Sequence, residues 1–376
     1  MSNTFLNILT PQKIRSVLFL TISCLFLLSC GVEPASTTKV KTRTIKDMNG
    51  RLVEIPIEIN KVIAHRAGVL RIICYLDATE KIIGVEANER RRNVPYLFAY
   101  PELKKLPIIG SGNNADPELL ASLKPDILIC TYLNSGEADD LQRKTGIPVI
   151  CINYGDFNKH KDDFYNSLRL VGDLLKKEQR AEFLINYIES SFNQIIETCK
   201  TNASPESVYI GGIAFRGAHG INSTEPMYAP FRFTQANNLC ESIIEKSSSA
   251  FTKLSSCVID KEQIIQWNPD KIFIDASGLL LSKPDLDIKS VVGKMLTAVK
   301  NDEVYLLFPH IWNTINYEHI LINTIYIASV LHPKIYPDMD MKKEANEVYT
   351  TFLGKAIYDD MTALYGNACQ KLRIHE

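Results

Sequence analysis

The sequence predicts an α/β protein: two lobes, each a parallel sheet flanked by helices, joined by one long α-helix. Three observations carry this. The phrase DPELLASLKPDILI at Asp116 returns as DKEQIIQWNPDKIFI at Asp260, and Glu118, Pro125 and Asp126 match Glu262, Pro269 and Asp270 at a single offset of 144 residues, the mark of an internal duplication. Each copy opens on Asp at an N-cap, runs about two helical turns, stops before Pro and enters an apolar strand, which is the helix-to-strand joint of a parallel sheet. Between the copies, Asp162 to Lys200 holds apolar residues at helical spacing (Leu168, Val171, Leu174, Leu175, Phe183, Leu184, Tyr187, Ile188, Phe192, Ile195, Ile196), with no Pro and one Gly.

The first residues read as an address. Lys13 and Arg15 precede VLFLTISCLFLLSC, an apolar run from Val17 to Cys30 with the charge and length of a secretory segment, too short for an ordinary spanning helix. Leu27, Leu28, Ser29 and Cys30 resemble the lipobox of bacterial lipoproteins, which implies a signal peptide over 1–29 and acyl chains on Cys30; the alternatives are a plain signal peptide with a chance cysteine and a buried core helix. Such chains would hold the protein at a membrane face, each buried methylene adding about 0.8 kcal/mol. Residues 30–43 have no apolar periodicity and contain Pro, Ser and Thr, so they read as a tether. Removing residues 1–29 from 376 leaves 347, enough for two cores.

Further along, RTIKD and RLVEIP flank Met48-Asn49-Gly50 and read as a hairpin, since Asn-Gly suits the positive φ angles of a tight turn. Strands are expected at KVIAH (61–65), KIIGV (81–85), ILICTY and PVICINY (148–154) in a first lobe over 44–161. A linking helix spans 162–202. A second lobe over 203–376 holds SVYIGGIAF (207–215), KIFIDA and EVYLLF (303–308).

A net charge of −1 gives no case for nucleic acid. Nine cysteines suggest a disulfide scaffold, yet Cys24 leaves with the signal and Cys30 is assigned to lipid. Cys74, Cys130 and Cys151 sit inside apolar runs as buried thiols. Cys240 and Cys257 can pair outside the cytoplasm, but spacing does not fix connectivity.

In open α/β sheets, ligands meet the loops beyond the carboxyl ends of strands. That rule selects His65 and Arg66 in the first lobe and Arg216 and His219 in the second, one Arg and one His on equivalent loops. Arg offers a planar fork suited to carboxylate, catecholate or phosphate oxygens; the alternative is pairing with a carboxylate of its own lobe. Arg91, within Glu89-Arg90-Arg91-Arg92, rims the same edge. Tyr132 and Tyr154 follow the two middle strands. The aromatic loop 222–231 brings Tyr228, and Trp312, Asn313, Asn316 and Tyr317 follow EVYLLF; their rings can stack on a flat ligand or donate hydrogen bonds.

Taken together, RTIKDMNGRLVEIP, KVIAHRAG, KIIGV, DPELLASLKPDILI, the long helix, DKEQIIQWNPDKIFI and HPKIYP resemble, in order and spacing from about Thr44 to Gly354, the solute-binding proteins of ATP-driven importers for iron-siderophores, haem and cobalamin. The resemblance implies two Rossmann-like lobes bridged by one helix, a metal chelate held between them without further cofactor, and delivery to a permease dimer by a monomer at the cell envelope. It also implies that Glu118 and Glu262 meet permease arginines; locally, each complements a helix dipole by about 0.3–1 kcal/mol. An iron chelate ranks first, then haem or a corrinoid, then an oxyanion such as molybdate or a free metal ion. The mature histidines form no HxH and no His-rich loop; His65, His219 and Glu225 lack a fourth ligand for a closed tetrahedral metal site. With no GxGxxG after the first strand, no Walker loop and no GxSxG, binding without covalent chemistry is expected, and a chelatase-like enzyme is the remote alternative.

Overall fold

The computed structural model describes residues 41–111, 114–200, 205–214, 216–243, 256–312 and 314–374. The signal segment, Cys30 and most of the tether lie outside these residues. The hairpin pairs Thr42–Lys46 with Leu52–Pro56 antiparallel, Lys46 opposite Leu52. Its connection is longer than a two-residue turn: the Asp47 carboxylate accepts from the N–H groups of Asn49 (3.0 Å) and Arg51 (2.9 Å), and only Gly50 takes positive φ (82°).

In the first lobe the strands lie in the order Ile82–Gly84, Val62–His65, Ile127–Cys130, Val149–Cys151, all parallel. The second repeats the plan with Asn237–Asn238, Ser207–Gly211, Lys271–Asp275 and Val304–Leu307, again parallel, and Gln370–Lys371 closes that edge antiparallel. The central strands are mostly apolar and buried along their length, VIAH and ILIC in one lobe and KIFID and VYLL in the other, as required when helices cover both faces. In both sheets the first strand in the chain is second in space, so the carboxyl-edge crevice falls between it and the strand that follows the repeated phrase.

The repeated phrase itself takes one shape twice. Pro117–Leu123 ends at Lys124 with φ 49°, and Lys261–Trp267 ends at Asn268 with φ 45°. The Asp116 side chain caps its helix through the N–H groups of Glu118 and Leu119, whereas Asp260 makes no such bond. The Pro-Asp aspartates then reach sideways: Asp126 Oδ2 accepts from the N–H of Asn60 (2.7 Å) and Lys61 (2.8 Å), and Asp270 Oδ2 from the N–H (2.8 Å) and hydroxyl (2.7 Å) of Ser207. Each copy therefore fastens its helix–strand joint to the head of its lobe's first strand.

The helix expected over 162–202 is two helices, Lys161–Leu175 and Glu178–Lys200. Lys176 turns left-handed (φ 58°), and Lys177 N–H returns to Gly172 O at 2.7 Å. The two run back to back as a helical hairpin, pairing Arg169 with Glu182 (2.6 Å) and Tyr165 with Glu189 (2.7 Å). Glu178–Lys200 is the long connector, its 23 residues spanning about 34 Å.

Thr42–Glu376 form one compact unit. Along the middle of the seam between the lobes, Tyr317 stacks on Phe164 (centroids 3.6 Å apart) and meets Tyr154 and Phe157; each such ring contributes about 1.5–3 kcal/mol by burial. Gly68 (φ 95°) is required here, because a Cβ would lie 2.1 Å from the Tyr154 ring. The seven described cysteines are buried free thiols, so Cys240 and Cys257 are unpaired with each other. No helix among the described residues is long and apolar enough to cross a membrane.

Candidate functional site

Beyond the packed middle, the seam opens into a cleft of about 380 Å³ lined by Asn88, Arg91, Arg92 and Asn93 of the first lobe and Trp312, Leu364 and Tyr365 of the second. Its arginines and Trp312 sit on segments that follow Ile82–Gly84 and Val304–Leu307, the carboxyl edge where ligands are expected, and Leu364 and Tyr365 come from the end of the helix Tyr358–Leu364. The three consecutive arginines divide their work. Arg90 Nη2 donates to Leu106 O (3.0 Å), and Arg92 pairs with buried Glu89, which also accepts from Tyr96 Oη (2.7 Å). Burial raises the Glu89 carboxyl pKa and the Arg92 charge offsets part of that. Arg91 is left exposed at the cleft, with no carboxylate partner among the described residues. Tyr365 Oη donates across the seam to Asn93 O (2.8 Å), fixing the cleft's width.

Four residues on neighbouring carboxyl-edge loops, none of them among those lining the cleft, share a backbone peculiarity. Arg66 (φ 66°), Tyr132 (φ 55°), Arg216 (φ 54°) and Thr314 (φ 79°) all sit left-handed in loops after sheet strands, a conformation that costs a non-glycine residue about 1 kcal/mol or more and concentrates at functional sites. Arg66 and Tyr132 flank the first lobe's crevice, and the Arg66 guanidinium donates to Tyr132 O. Tyr132 is 60 % exposed. Arg216 is exposed and His219 half-buried, on a loop whose backbone presses against Gly278. Phe215 and Asn313 lie outside the described residues.

Four other candidates lie deeper. His65 is buried with Nδ1 3.0 Å from Glu86 Oε1, and Glu86 also accepts from Arg66 N–H (2.7 Å). Tyr154, Tyr228 and Tyr317 are buried and their faces are taken by neighbours: Tyr154 lies over Gly68, Tyr228 meets Phe231 and His310 edge-on, and Tyr317 donates to Tyr154 O. Glu118 and Glu262 are both exposed in the first turn of the two repeated helices.

A second cavity, about 490 Å³, lies against the connector helix between Phe157–Lys161 and Phe231–Glu241. Of its cations, Lys161 is paired with Glu189 (2.9 Å), whereas Arg232 is exposed, bonds the neutral Asn158 side chain (2.7 Å) and keeps its charge.

Sequence reasoning missed two buried clusters. In the seam, Arg71 is fully buried, with Nη1 donating to Tyr154 Oη, Thr314 Oγ1 (2.9 Å) and Ile315 O, and Nη2 to Asn316 Oδ1 (2.7 Å). Tyr75 donates to Glu318 alongside; burial raises the Glu318 pKa and Arg71 pulls it back. The signal was available: all seven residues of Val69–Tyr75 (VLRIICY) are buried, so the helix has no polar face for an Arg, and a buried Arg demands partners. In the second lobe, His310 lies between Glu225 (2.8 Å) and Asp275 (3.4 Å). Burial works against its charge, but the two carboxylates prevail and raise its pKa to about 9. No group of three His, Cys, Asp or Glu among the described residues is arranged to hold a metal ion.

Comparison with known proteins agrees with this geometry. Residues 62–310 match the family described as periplasmic binding protein. The molybdate-binding protein MolA of Haemophilus influenzae is 21 % identical over 365 residues, covering 90 % of this chain and 98 % of that one. Its structure with molybdate superposes with a TM-score of 0.62 at 20 % identity, over 84 % and 98 % of the two chains. A periplasmic solute-binding protein of Veillonella parvula gives a TM-score of 0.66 at 22 % identity, over 86 % and 97 %. The uncharacterized ABC transporter substrate-binding lipoprotein YvrC of Bacillus subtilis is 25 % identical over 304 residues, 77 % of this chain and 88 % of that one. With the family matched over more than half of its length and two α/β lobes meeting at a cleft, this chain belongs to the periplasmic binding protein family, as a solute-binding protein of ABC transporters and not an enzyme.

Proposed function

We propose that the protein captures an anionic metal chelate, an iron-siderophore first, in the cleft between Arg91 and Trp312 and delivers it to an ABC permease dimer. The observation that carries this is a cleft whose first-lobe wall presents an exposed guanidinium with no carboxylate partner among the described residues and whose second-lobe wall presents Trp312 and Tyr365. Its volume falls in the usual range for small-molecule sites, and an arginine opposite an aromatic wall suits a flat ligand carrying oxygen anions. Arg66, Tyr132, Arg216 and His219, on neighbouring carboxyl-edge loops outside the cleft's lining, are proposed as further ligand contacts, with His65, Tyr154, Tyr228 and Tyr317 buried behind those loops. Lobe boundaries at 44–161 and 203–376, a monomer, and an acylated Cys30 holding the body outside the cytoplasm complete the reading; the Bacillus subtilis relative YvrC is named as a lipoprotein.

A second reading, capture of an oxyanion such as molybdate, is favoured by the likeness to MolA along nearly its whole length. Haem or a corrinoid follows. Trp312 supplies the test, because the chain has only two tryptophans. In a Trp267→Phe background, Trp312 emission is titrated with a ferric tris-catecholate, haemin, cyanocobalamin and molybdate. Saturable quenching by the ferric catecholate, weakened at least tenfold by Arg91→Ala, supports the chelate. Saturation by molybdate alone replaces it with the oxyanion, and no response to any of the four removes the cleft as the site.

A further inference from the structure

The second-lobe wall of the cleft is held from the first lobe. Trp312 stands on the loop 309–316, which folds back on itself: Trp312 N–H donates to Thr314 O (3.0 Å), Ile311 and Ile315 form an isolated antiparallel bridge, and Asn316 N–H returns to His310 O (2.8 Å). Asn316 Nδ2 adds a bond to Pro309 O (3.1 Å). A short loop with a left-handed Thr at φ 79° needs outside restraint to keep one shape. That restraint comes from Arg71, whose two terminal nitrogens reach Thr314, Ile315 and Asn316 in sequence, while Tyr154 Oη donates to the same Ile315 carbonyl (2.7 Å).

We infer that Arg71 is a positioning residue for ligand capture: a buried cation of the first lobe sets the second-lobe loop that aims Trp312 into the cleft. It does not touch the ligand; it acts through Thr314, Ile315 and Asn316. The planar fork is what the task needs, since one guanidinium meets three consecutive residues at fixed angles, which an ammonium group cannot do. The consequence is coupling. Parting the lobes at this end would strip a fully buried charge of its acceptors, so the shape of the ligand wall and the seating of one lobe on the other change together.

The inference rests on the Arg91–Trp312 cleft being the ligand site, and its test is made without ligand so that the two can fail separately. In the full chain carrying Trp267→Phe, iodide quenching of Trp312 is measured for Arg71→Lys, which keeps the charge and loses the fork, and for Thr314→Val, which removes one acceptor near the surface. The expected result is a quenching constant raised about threefold or more in Arg71→Lys and less in Thr314→Val, with circular dichroism unchanged. If Arg71→Lys does not fold, Thr314→Val and Asn316→Ser decide. Unchanged quenching in the folded variants overturns the inference. Altered quenching with no response to ferric catecholate or molybdate leaves Arg71 as the loop's anchor and removes the ligand assignment instead.

Discussion

The carboxylate of Asp270 accepts from both the main-chain N–H and the hydroxyl of Ser207, at 2.8 and 2.7 Å. In the other lobe Asp126 does the equivalent for Asn60 and Lys61. The two bonds to Ser207 hold the Asp270 carboxyl below its ordinary pKa. A group with a depressed folded pKa stabilises above its unfolded pKa and loses that contribution as pH falls through the folded one. Asp126→Ala and Asp270→Ala should each lower stability by about 1 kcal/mol, measured by urea unfolding at pH 7. The two losses should add, because the sites belong to different sheets.

Glu118 and Glu262 occupy the same place in the two copies and point to solvent. If they dock on the permease, Glu118→Ala with Glu262→Ala abolishes uptake into cells while ligand affinity stays within about twofold. Loss of the two helix-dipole contributions should cost no more than about 1 kcal/mol each. A variant that still transports at the normal rate, or one that loses ligand affinity, refutes the docking role.

Two buried histidines set opposite pH slopes. His310, raised to about 9 by Glu225 and Asp275, stabilises fully below its unfolded pKa near 6.5 and loses that contribution as pH rises to about 9. The loss is roughly 3 kcal/mol across that window. His319 is lowered to about 3 by burial, with Arg71 and His310 adding to the effect and Pro309 O opposing it; its contribution is present above 6.5 and falls away as pH drops towards 3. Stability should therefore peak near pH 6.5. Thermal melts from pH 5 to 9 should show His310→Gln flattening the alkaline side and His319→Gln the acid side.

What the sequence reveals depends on whether a feature has a local cause. Pro125, Pro269 and the aspartates that follow them punctuate the chain wherever they fall, so the duplicated joints and their strands can be read directly. The Arg91 loop and Trp312 are legible for the same reason, as they follow strands. His65 and Tyr317 fit the same rule but turn inward, because a carboxylate and an aromatic cluster distant in sequence claim them. Arg71 is visible only as a charge in an apolar helix, and its acceptors on the Thr314–Asn316 loop lie more than 240 residues away. No periodicity encodes that pairing.

The break at Lys176 is the remaining departure, and it has a measurable cost. Leu174, Leu175 and Ala181 are all buried, so apolar spacing continues across the joint and conceals the turn. The hairpin closes because Gly172 lets Ala181 approach; a Cβ at Gly172 would lie 3.1 Å from that of Ala181. Lys176 bears the strain, sitting at φ 58°, where a side chain costs about 1–2 kcal/mol. Its exposed contact with Glu58 returns little. Lys176→Gly should therefore stabilise the protein by about 0.5–1 kcal/mol, and Lys176→Val, branched at Cβ, should destabilise it by more than 1 kcal/mol. Urea unfolding of the two variants decides. Equal midpoints would mean that the turn is relaxed, and that the two helices part for a reason other than the left-handed residue between them.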